Sequence, residues 1–254
     1  MAAGSHIEWT DATWNPVTGC FKISPGCKFC YAERLAHRLQ SMGQENYRNG
    51  FKVTLHPHML QHPLRWRQPR RVFVNSMSDL FHERVPVNYI SRVFEVMRRA
   101  GWHQYQLLTK RSHRLLDLNP ILGWQPHIWM GVSVENEDYL YRVEDLRRTD
   151  AHIKFLSVEP LLGPLQNLNL LGIDWVIVGG ESGPGARQMD PAWVRGIRDR
   201  CIHAGVPFFF KQWGGVFKKR MGRLLDDRTW DEMPVVSMGT PSRATAHWEL
   251  VVLA

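Results

Sequence analysis

Three cysteines stand close together near the start of this 254-residue chain, and their C-x6-C-x2-C spacing places Cys20, Cys27 and Cys30 within eleven residues. The remaining cysteine, Cys201, lies far away in an amphipathic helical pattern and is predicted to be a core residue. The chain opens without an apolar signal segment, so we expect a cytoplasmic protein. In a reducing compartment, clustered thiols indicate a metal centre rather than disulfides.

The three clustered thiols suit two kinds of metal centre. A structural zinc site needs four ligands, and the fourth would be His37 or a more distant group. A cluster of four irons can instead be held by three thiolates, which leaves one iron open to a substrate or cofactor. Because no fourth cysteine is near, the pattern favours an iron–sulfur cluster, with zinc as the alternative.

A second set of chemical side chains follows the predicted strands. The carboxylates Glu135, Glu159 and Glu181 each come just after an apolar run, while Lys110 and Lys211 follow two others. Barrel enzymes place their chemistry at the carboxyl ends of the strands, so these groups predict a pocket for a zwitterionic ligand. The alternative is that they cap the following helices or pair with the two lysines.

The elements that must position these groups alternate regularly after about residue 70. Apolar runs typical of strands buried on both faces cover 71–75, 105–109, 127–133, 153–157, 174–178 and 206–210. Amphipathic patterns predict helices over 87–100 and 191–204. This alternation predicts an α/β fold, a complete or partial (β/α) TIM-type barrel of parallel strands with the cysteine loop after the first strand. An open doubly wound sheet is the alternative.

Composition limits the class of protein. Hydrophobic residues make up 44% of the chain, as in folded soluble domains. No apolar run approaches the roughly 18 residues that a membrane span needs, so no membrane partner is expected. We predict one domain over residues 7–233 and an irregular C-terminal tail over 234–254.

The net charge of +8 favours a polyanionic partner. Basic residues interleaved with aromatic ones can hold phosphates and stack bases. The candidate nucleic-acid-binding residues are Arg65, Trp66, Arg67, Arg70, Lys110, Arg111, Lys218 and Lys219. We expect a nucleic acid; the alternative is a basic surface that only keeps the protein soluble.

The cysteine loop and several strand-end motifs resemble a known superfamily. A three-cysteine loop after the first strand of a barrel resembles the radical S-adenosylmethionine (SAM) superfamily, although the usual spacing there is C-x3-C-x2-C. Residues 7 to about 233 are similar to a narrower group, the phage and bacterial three-Cys-motif proteins of unknown function. The matching motifs cover 14–34, 78–82, 107–111, 131–135, 157–160 and 179–182. That group is distantly similar to spore photoproduct lyase, a radical enzyme that repairs DNA.

The resemblance implies two cofactors. Cys20, Cys27 and Cys30 would hold a [4Fe-4S] cluster whose open iron chelates S-adenosyl-L-methionine, and reductive cleavage of that cofactor yields a radical that abstracts hydrogen. Strand-end polar groups would contact its amino, ribose and carboxylate groups, and an aromatic residue would stack on adenine. The cofactor-binding residues implied are Ser76, Ser78, Asp79, Ser133, Glu135, Ser157, Glu159, Gly179, Gly180, Glu181 and Tyr31. No catalytic hydrogen donor is assigned.

The function predicted is therefore that of a radical SAM enzyme acting on a nucleic acid base, through DNA repair, a lyase reaction or base modification. One alternative is a radical or cluster enzyme acting on a small molecule or peptide. The other is a non-enzymatic, zinc-containing nucleic-acid-binding protein. The sequence names neither the substrate nor the electron donor nor a light requirement. A partner protein that supplies part of the site is compatible with the sequence, which sets no oligomeric state.

Overall fold

The structure is a computed structural model that describes residues 7–217 and 222–235. Its strands are β1 Ala12–Trp14, β2 Val17–Thr18, β3 Thr54–Leu55, β4 Arg71–Val74, β5 Gln104–Thr109, β6 Ile128–Ser133, β7 Ile153–Val158, β8 Trp175–Gly179 and β9 Phe208–Gln212. Strands β2 and β3 form a small antiparallel pair. The other seven form one sheet in which all neighbours are parallel.

The seven-stranded sheet curls into half of a barrel. Its spatial order, β1-β4-β5-β6-β7-β8-β9, follows the order of the chain without a reversal. A doubly wound sheet would instead reverse direction at a switch point. The fold is thus a partial TIM-type barrel of the α/β class, and the predicted fold class is confirmed.

In the described residues, five α-helices accompany the sheet: α1 Tyr31–Ser41, α2 Val87–Arg99, α3 Ser112–Leu122, α4 Tyr141–Arg147 and α5 Pro191–Ala204. The last four share one core with alternate strand residues such as Val74, Leu107 and Val132. Cys201 is fully buried in this core, which confirms its prediction as a core residue. Helix α1 packs separately, through Ala32 and Ala36 against Met77.

The helix-free face of the sheet differs between its two ends. Since successive strand residues point to opposite faces, the residues that alternate with the helix-covered core line this inner surface. Towards the amino ends it is filled by an aromatic cluster of Trp9, Phe73, Trp129, Phe155, Trp175 and Phe209. Towards the carboxyl ends it presents small side chains, including Ser133 and Ser157, which are register partners on β6 and β7.

The predicted elements match the observed ones within two residues. The largest shift is the last strand, which begins at Phe208 rather than 206. In the part of the chain that the structure describes, no helix is long and apolar enough to cross a membrane. The extent of the single domain, 7–233, stays a prediction. Of the predicted tail over 234–254, only residues 234 and 235 lie within the described part.

Candidate functional site

The cysteine loop crosses the carboxyl edge of the sheet. It leaves β2 through Gly19, whose backbone N–H donates to the Met77 carbonyl at 3.0 Å, and it ends at Cys30, the N-cap of α1. All three cysteines of the loop are free thiols and partly exposed. The three thiols therefore lie beside the strand ends whose polar side chains are predicted to form a ligand pocket.

Glu135, just beyond β6, binds the middle of the loop. The Ser24 hydroxyl donates to Glu135 Oε1 at 2.6 Å, and this fully buried carboxylate also pairs with Lys110 at 2.8 Å and Arg142 at 2.9 Å. A Cβ on Gly26 would lie 2.5 Å from Glu135 Cγ, so the loop can approach only as glycine. Burial alone would raise the pKa of Glu135, but the two cations lower it below its ordinary value.

Glu181, just beyond β8, binds the same loop through an arginine. Arg187 donates to Glu181 Oε1 at 2.5 Å and to the Pro25 carbonyl at 2.8 Å. Burial would raise the pKa of Glu181, but its hydrogen bonds with Arg187 lower it. The Arg187 guanidinium also lies 5.7 Å from the centre of the Phe29 ring. Two strand-end carboxylates thus hold adjacent residues of one loop.

A third contact holds the Cys20 end of the loop. The buried Arg111 guanidinium donates to Cys20 Sγ at 3.5 Å, to Asp79 at 3.1 Å and to Glu83 at 2.9 Å. Asp79 in turn accepts from the Thr109 hydroxyl at 2.7 Å. Burial and the Asp79 carboxylate raise the pKa of Cys20 to about 12, against the opposing charge of Arg111. A metal that binds this sulfur displaces its proton.

Glu159, beyond β7, has different surroundings from the other two strand-end carboxylates. Its two oxygens accept from Lys211 Nζ at 2.8 Å each, and the two side chains are 22% and 15% exposed. Within the described residues, the hydroxyls of Ser133 and Ser157 have no hydrogen-bond partner. A carboxylate, an ammonium and two free hydroxyls therefore remain available to a ligand at this edge.

Other predicted cofactor-binding residues are engaged within the protein. The Ser78 hydroxyl donates to the Val17 carbonyl at 2.8 Å, and the exposed Tyr31 hydroxyl donates to the Ser76 carbonyl at 2.5 Å. A Cβ on Gly180 would lie 2.0 Å from the Trp213 carbonyl oxygen, so the neighbouring backbone already requires glycine there. A Cβ on Gly179 would instead approach Glu159, at 3.3 Å.

Sequence reasoning missed four residues that hold the loop: Ser24, Gly26, Arg142 and Arg187. Gly26 stands within the cysteine motif and Arg187 follows the glycine-rich turn, so both carried a weak signal. Nothing in the sequence links Ser24 to its partner 111 residues away. The pairing of Lys110 and Lys211 with strand-end carboxylates matches the alternative set beside the pocket prediction.

The predicted nucleic-acid-binding residues do not form one surface. Arg65, Trp66, Arg67 and Arg70 directly precede β4, so they lie at the amino edge of the sheet, opposite the cysteine loop. The half-buried Trp66 packs there beneath the Arg70 guanidinium, 5.4 Å from its ring centre. This position separates the cluster from the strand-end groups.

Of the four remaining predicted nucleic-acid-binding residues, two lie within the described part of the chain. Lys110 pairs with Glu135, and Arg111 is buried between carboxylates, which suits holding the loop rather than binding a phosphate. Lys218 and Lys219 lie outside the described residues.

The cysteine loop also bears on the choice between zinc and an iron–sulfur cluster. In residues 7–217 and 222–235, no three His, Cys, Asp or Glu side chains, the loop cysteines included, converge closely enough for one metal ion, so this finding favours neither centre. His37 is exposed on α1, about 10 Å beyond Cys30 by helical rise. Three free, partly exposed thiols at the mouth of the half-barrel fit the donor set of a [4Fe-4S] cluster with one open iron.

The fold and the loop define a half-barrel protein with a three-cysteine loop across its carboxyl edge. The chain belongs to the family described as "Protein of unknown function (DUF5131)", whose sequence profile matches residues 4–234. No curated protein matches the chain.

Solved structures of spore photoproduct lyase share the fold. A double mutant of that enzyme "with bound AdoMet and dinucleoside spore photoproduct" is 10% identical, with a TM-score of 0.50, over 79% of this chain and 63% of that chain. A single mutant is 14% identical, with a TM-score of 0.49 over the same shares. This chain thus spans less than two thirds of the length of either structure. At such identities the similarity shows the fold alone.

Proposed function

We propose that this protein is an iron–sulfur enzyme of the radical SAM type that acts on a nucleic acid base, DNA rather than RNA. The observation that carries the proposal is the three-cysteine loop held across the carboxyl edge of the half-barrel by Glu135 and Glu181. Loss of a base lesion by a lyase reaction and modification of a base are both compatible with this site. The similarity of fold to an enzyme solved with AdoMet and a dinucleoside supports the proposal.

The residues at this edge have different roles in the proposed reaction. Cys20, Cys27 and Cys30 supply the thiolates for a [4Fe-4S] cluster. When bound, such a cluster supplies an open iron that chelates the amino and carboxylate groups of S-adenosyl-L-methionine and an electron for its cleavage. In this proposal, Ser133 and Ser157 donate to the cofactor's oxygens and the Glu159–Lys211 pair orients a zwitterion; their positions at the carboxyl edge support these roles.

In this proposal, the exposed ring of Tyr31 stacks on the cofactor's adenine; the hydrogen bond from its hydroxyl to the Ser76 carbonyl supports this role by fixing the ring at the mouth. Asp79, Glu135 and Glu181 act differently. Each is buried and bonded to residues that fix the loop, so these three carboxylates position the thiols rather than contact the cofactor.

The test is anaerobic reconstitution with iron and sulfide, followed by incubation with S-adenosyl-L-methionine and a reductant. We expect a bound cluster and cofactor cleavage to 5′-deoxyadenosine, both lost in Cys27→Ala. Uptake of zinc alone, or cofactor cleavage undiminished in Cys27→Ala, would refute the proposal. Cleavage that is stimulated by a small molecule or peptide and not by oligonucleotides would replace the substrate class and keep the chemistry.

A further inference from the structure

The cysteine loop and α1 carry an unbalanced positive charge. Between Cys20 and Arg38 the chain has the cations Lys22, Lys28, Arg34 and Arg38 against a single carboxylate, Glu33. Glu33 is itself paired with Lys22 at 2.7 Å. The segment that covers the mouth of the half-barrel is therefore attractive to a polyanion.

The same segment exposes several large apolar side chains. Phe21 is 43% exposed, Ile23 42%, Tyr31 51% and Leu35 39%. Exposed apolar side chains scattered singly need no explanation, but a group of them beside one opening marks a contact surface. Cations and apolar side chains thus share one rim.

Cations and rings also meet in space on this rim. The Arg84 guanidinium, from the loop before α2, lies 4.6 Å from the centre of the Phe21 ring. Lys28 Nζ lies 5.3 Å from the centre of the Phe29 ring. Neither Arg84 nor Lys28 forms an ion pair with a carboxylate within the described residues, so both charges are free for a ligand. We call Phe21, Lys28, Phe29 and Arg84 the collar.

We propose that the collar is the nucleic-acid-binding surface of this chain and that it holds a single strand or an unpaired nucleotide. Aromatic rings that stack bases beside cations that hold phosphates are the means by which proteins bind single strands. A base held beside the mouth must also be out of a duplex stack before its atoms can enter. The collar, rather than the Arg65–Arg70 cluster, borders that mouth.

The inference rests on the proposed function for its substrate class, and it adds the surface and the strandedness. An elongated single strand can contact the collar without meeting the opposite edge of the sheet. Duplex DNA would be held less tightly than the same single strand, because its bases cannot reach Phe21 and Phe29.

The test uses reconstituted protein and a fluorescently labelled single-stranded deoxyoligonucleotide, with anisotropy measured as a function of salt. In Lys28→Ala/Arg84→Ala we expect weaker binding and a salt slope smaller by about 1.4, for two single-strand phosphates. In Phe21→Ala we expect at least about a fivefold rise in Kd from lost stacking. The matched control, Arg65→Ala/Arg67→Ala, removes two exposed cations at the opposite edge and should leave Kd unchanged.

Two results would overturn the proposal that the collar binds nucleic acid. One is a loss of affinity confined to the Arg65→Ala/Arg67→Ala control; the other is iron-loaded wild-type protein that binds no oligonucleotide. Iron content and cofactor cleavage, measured on each variant, separate this inference from the proposed function. If the protein takes up zinc instead of iron and the collar variants still weaken binding, the surface stands while the radical chemistry falls.

Discussion

The three strand-end carboxylates look alike in sequence, yet their surroundings differ sharply. Glu135 and Glu181, after β6 and β8, are buried and bonded to the cysteine loop or to the arginine that holds it. Glu159, which follows the intervening strand β7, is partly exposed, and within the described residues it pairs only with Lys211 and, at 3.4 Å, Gln212. Two of these carboxylates are therefore committed to contacts that hold the loop, whereas Glu159 keeps part of its surface open to solvent.

Electrostatics explains why the division is stable. Glu135 faces two cations and a hydroxyl, which offset the cost of burying its charge. A ligand would gain little from Glu135, because this carboxylate is fully buried and already paired with two cations. Glu159 and Lys211 retain exposed surface, so a zwitterion can join their pair without breaking a buried network.

The largest effect is expected from Glu135→Ala. The change leaves Arg142 and Lys110 without their buried counter-charge, and breaking a buried pair costs about 3–5 kcal/mol. We expect a marked fall in melting temperature together with loss of iron uptake. Calorimetry and iron analysis measure both, and Glu159→Gln serves as the control that should retain stability and iron. A Glu135→Ala protein that keeps its stability would contradict the role of Glu135 in holding the cysteine loop.

Gly26→Ala separates loop position from overall stability. The new Cβ would meet Glu135 at 2.5 Å, so the loop must move away from the strand end. We expect iron uptake to fall several-fold while the melting temperature changes little, because the loop is partly exposed. Gly196→Ala, at a helical position with no atom near the new methyl, is the matched control. Equal iron uptake in the two variants would show that the close approach is unimportant.

Glu159→Gln tests whether the partly exposed carboxylate binds the cofactor. The substitution keeps the shape but removes the charge, and a hydrogen bond to a charged group is worth about 1.5–3 kcal/mol. We expect S-adenosyl-L-methionine to bind roughly tenfold more weakly, with iron content unchanged. Equilibrium dialysis gives the affinity. An unchanged affinity would show that the cofactor does not bind beside Glu159 at the end of β7.

The smallest effect belongs to Ser24→Ala. It removes one hydrogen bond to Glu135 while leaving both cations in place, a loss at the lower end of the range of about 1.5–3 kcal/mol for a hydrogen bond to a charged group. Iron should still load, but an added chelator should remove it several-fold faster than from the wild-type protein. A release rate equal to that of the wild type would mean that the Lys110 and Arg142 pairs alone fix this strand end.

The fold was predictable because each inner strand is a mostly apolar run bounded by turns, a pattern set by burial on both faces. The cysteine loop was likewise apparent from spacing alone. Which of Glu135, Glu159 and Glu181 would contact the cysteine loop was not predictable, since that depends on the path of the loop. That path is set by contacts such as Ser24 to Glu135, which join residues 111 positions apart. The spatial arrangement of the basic residues could not be predicted for the same reason, since Arg65 and Lys110 lie at opposite edges of the sheet.

The central claim is that the three cysteines hold a four-iron cluster at the mouth of the half-barrel. Iron and sulfide analysis of anaerobically reconstituted protein, with the electron paramagnetic resonance spectrum of its reduced form, tests that claim most directly. We expect about four irons per chain and a spectrum that changes when S-adenosyl-L-methionine is added. A protein that retains one zinc per chain and no iron would contradict it.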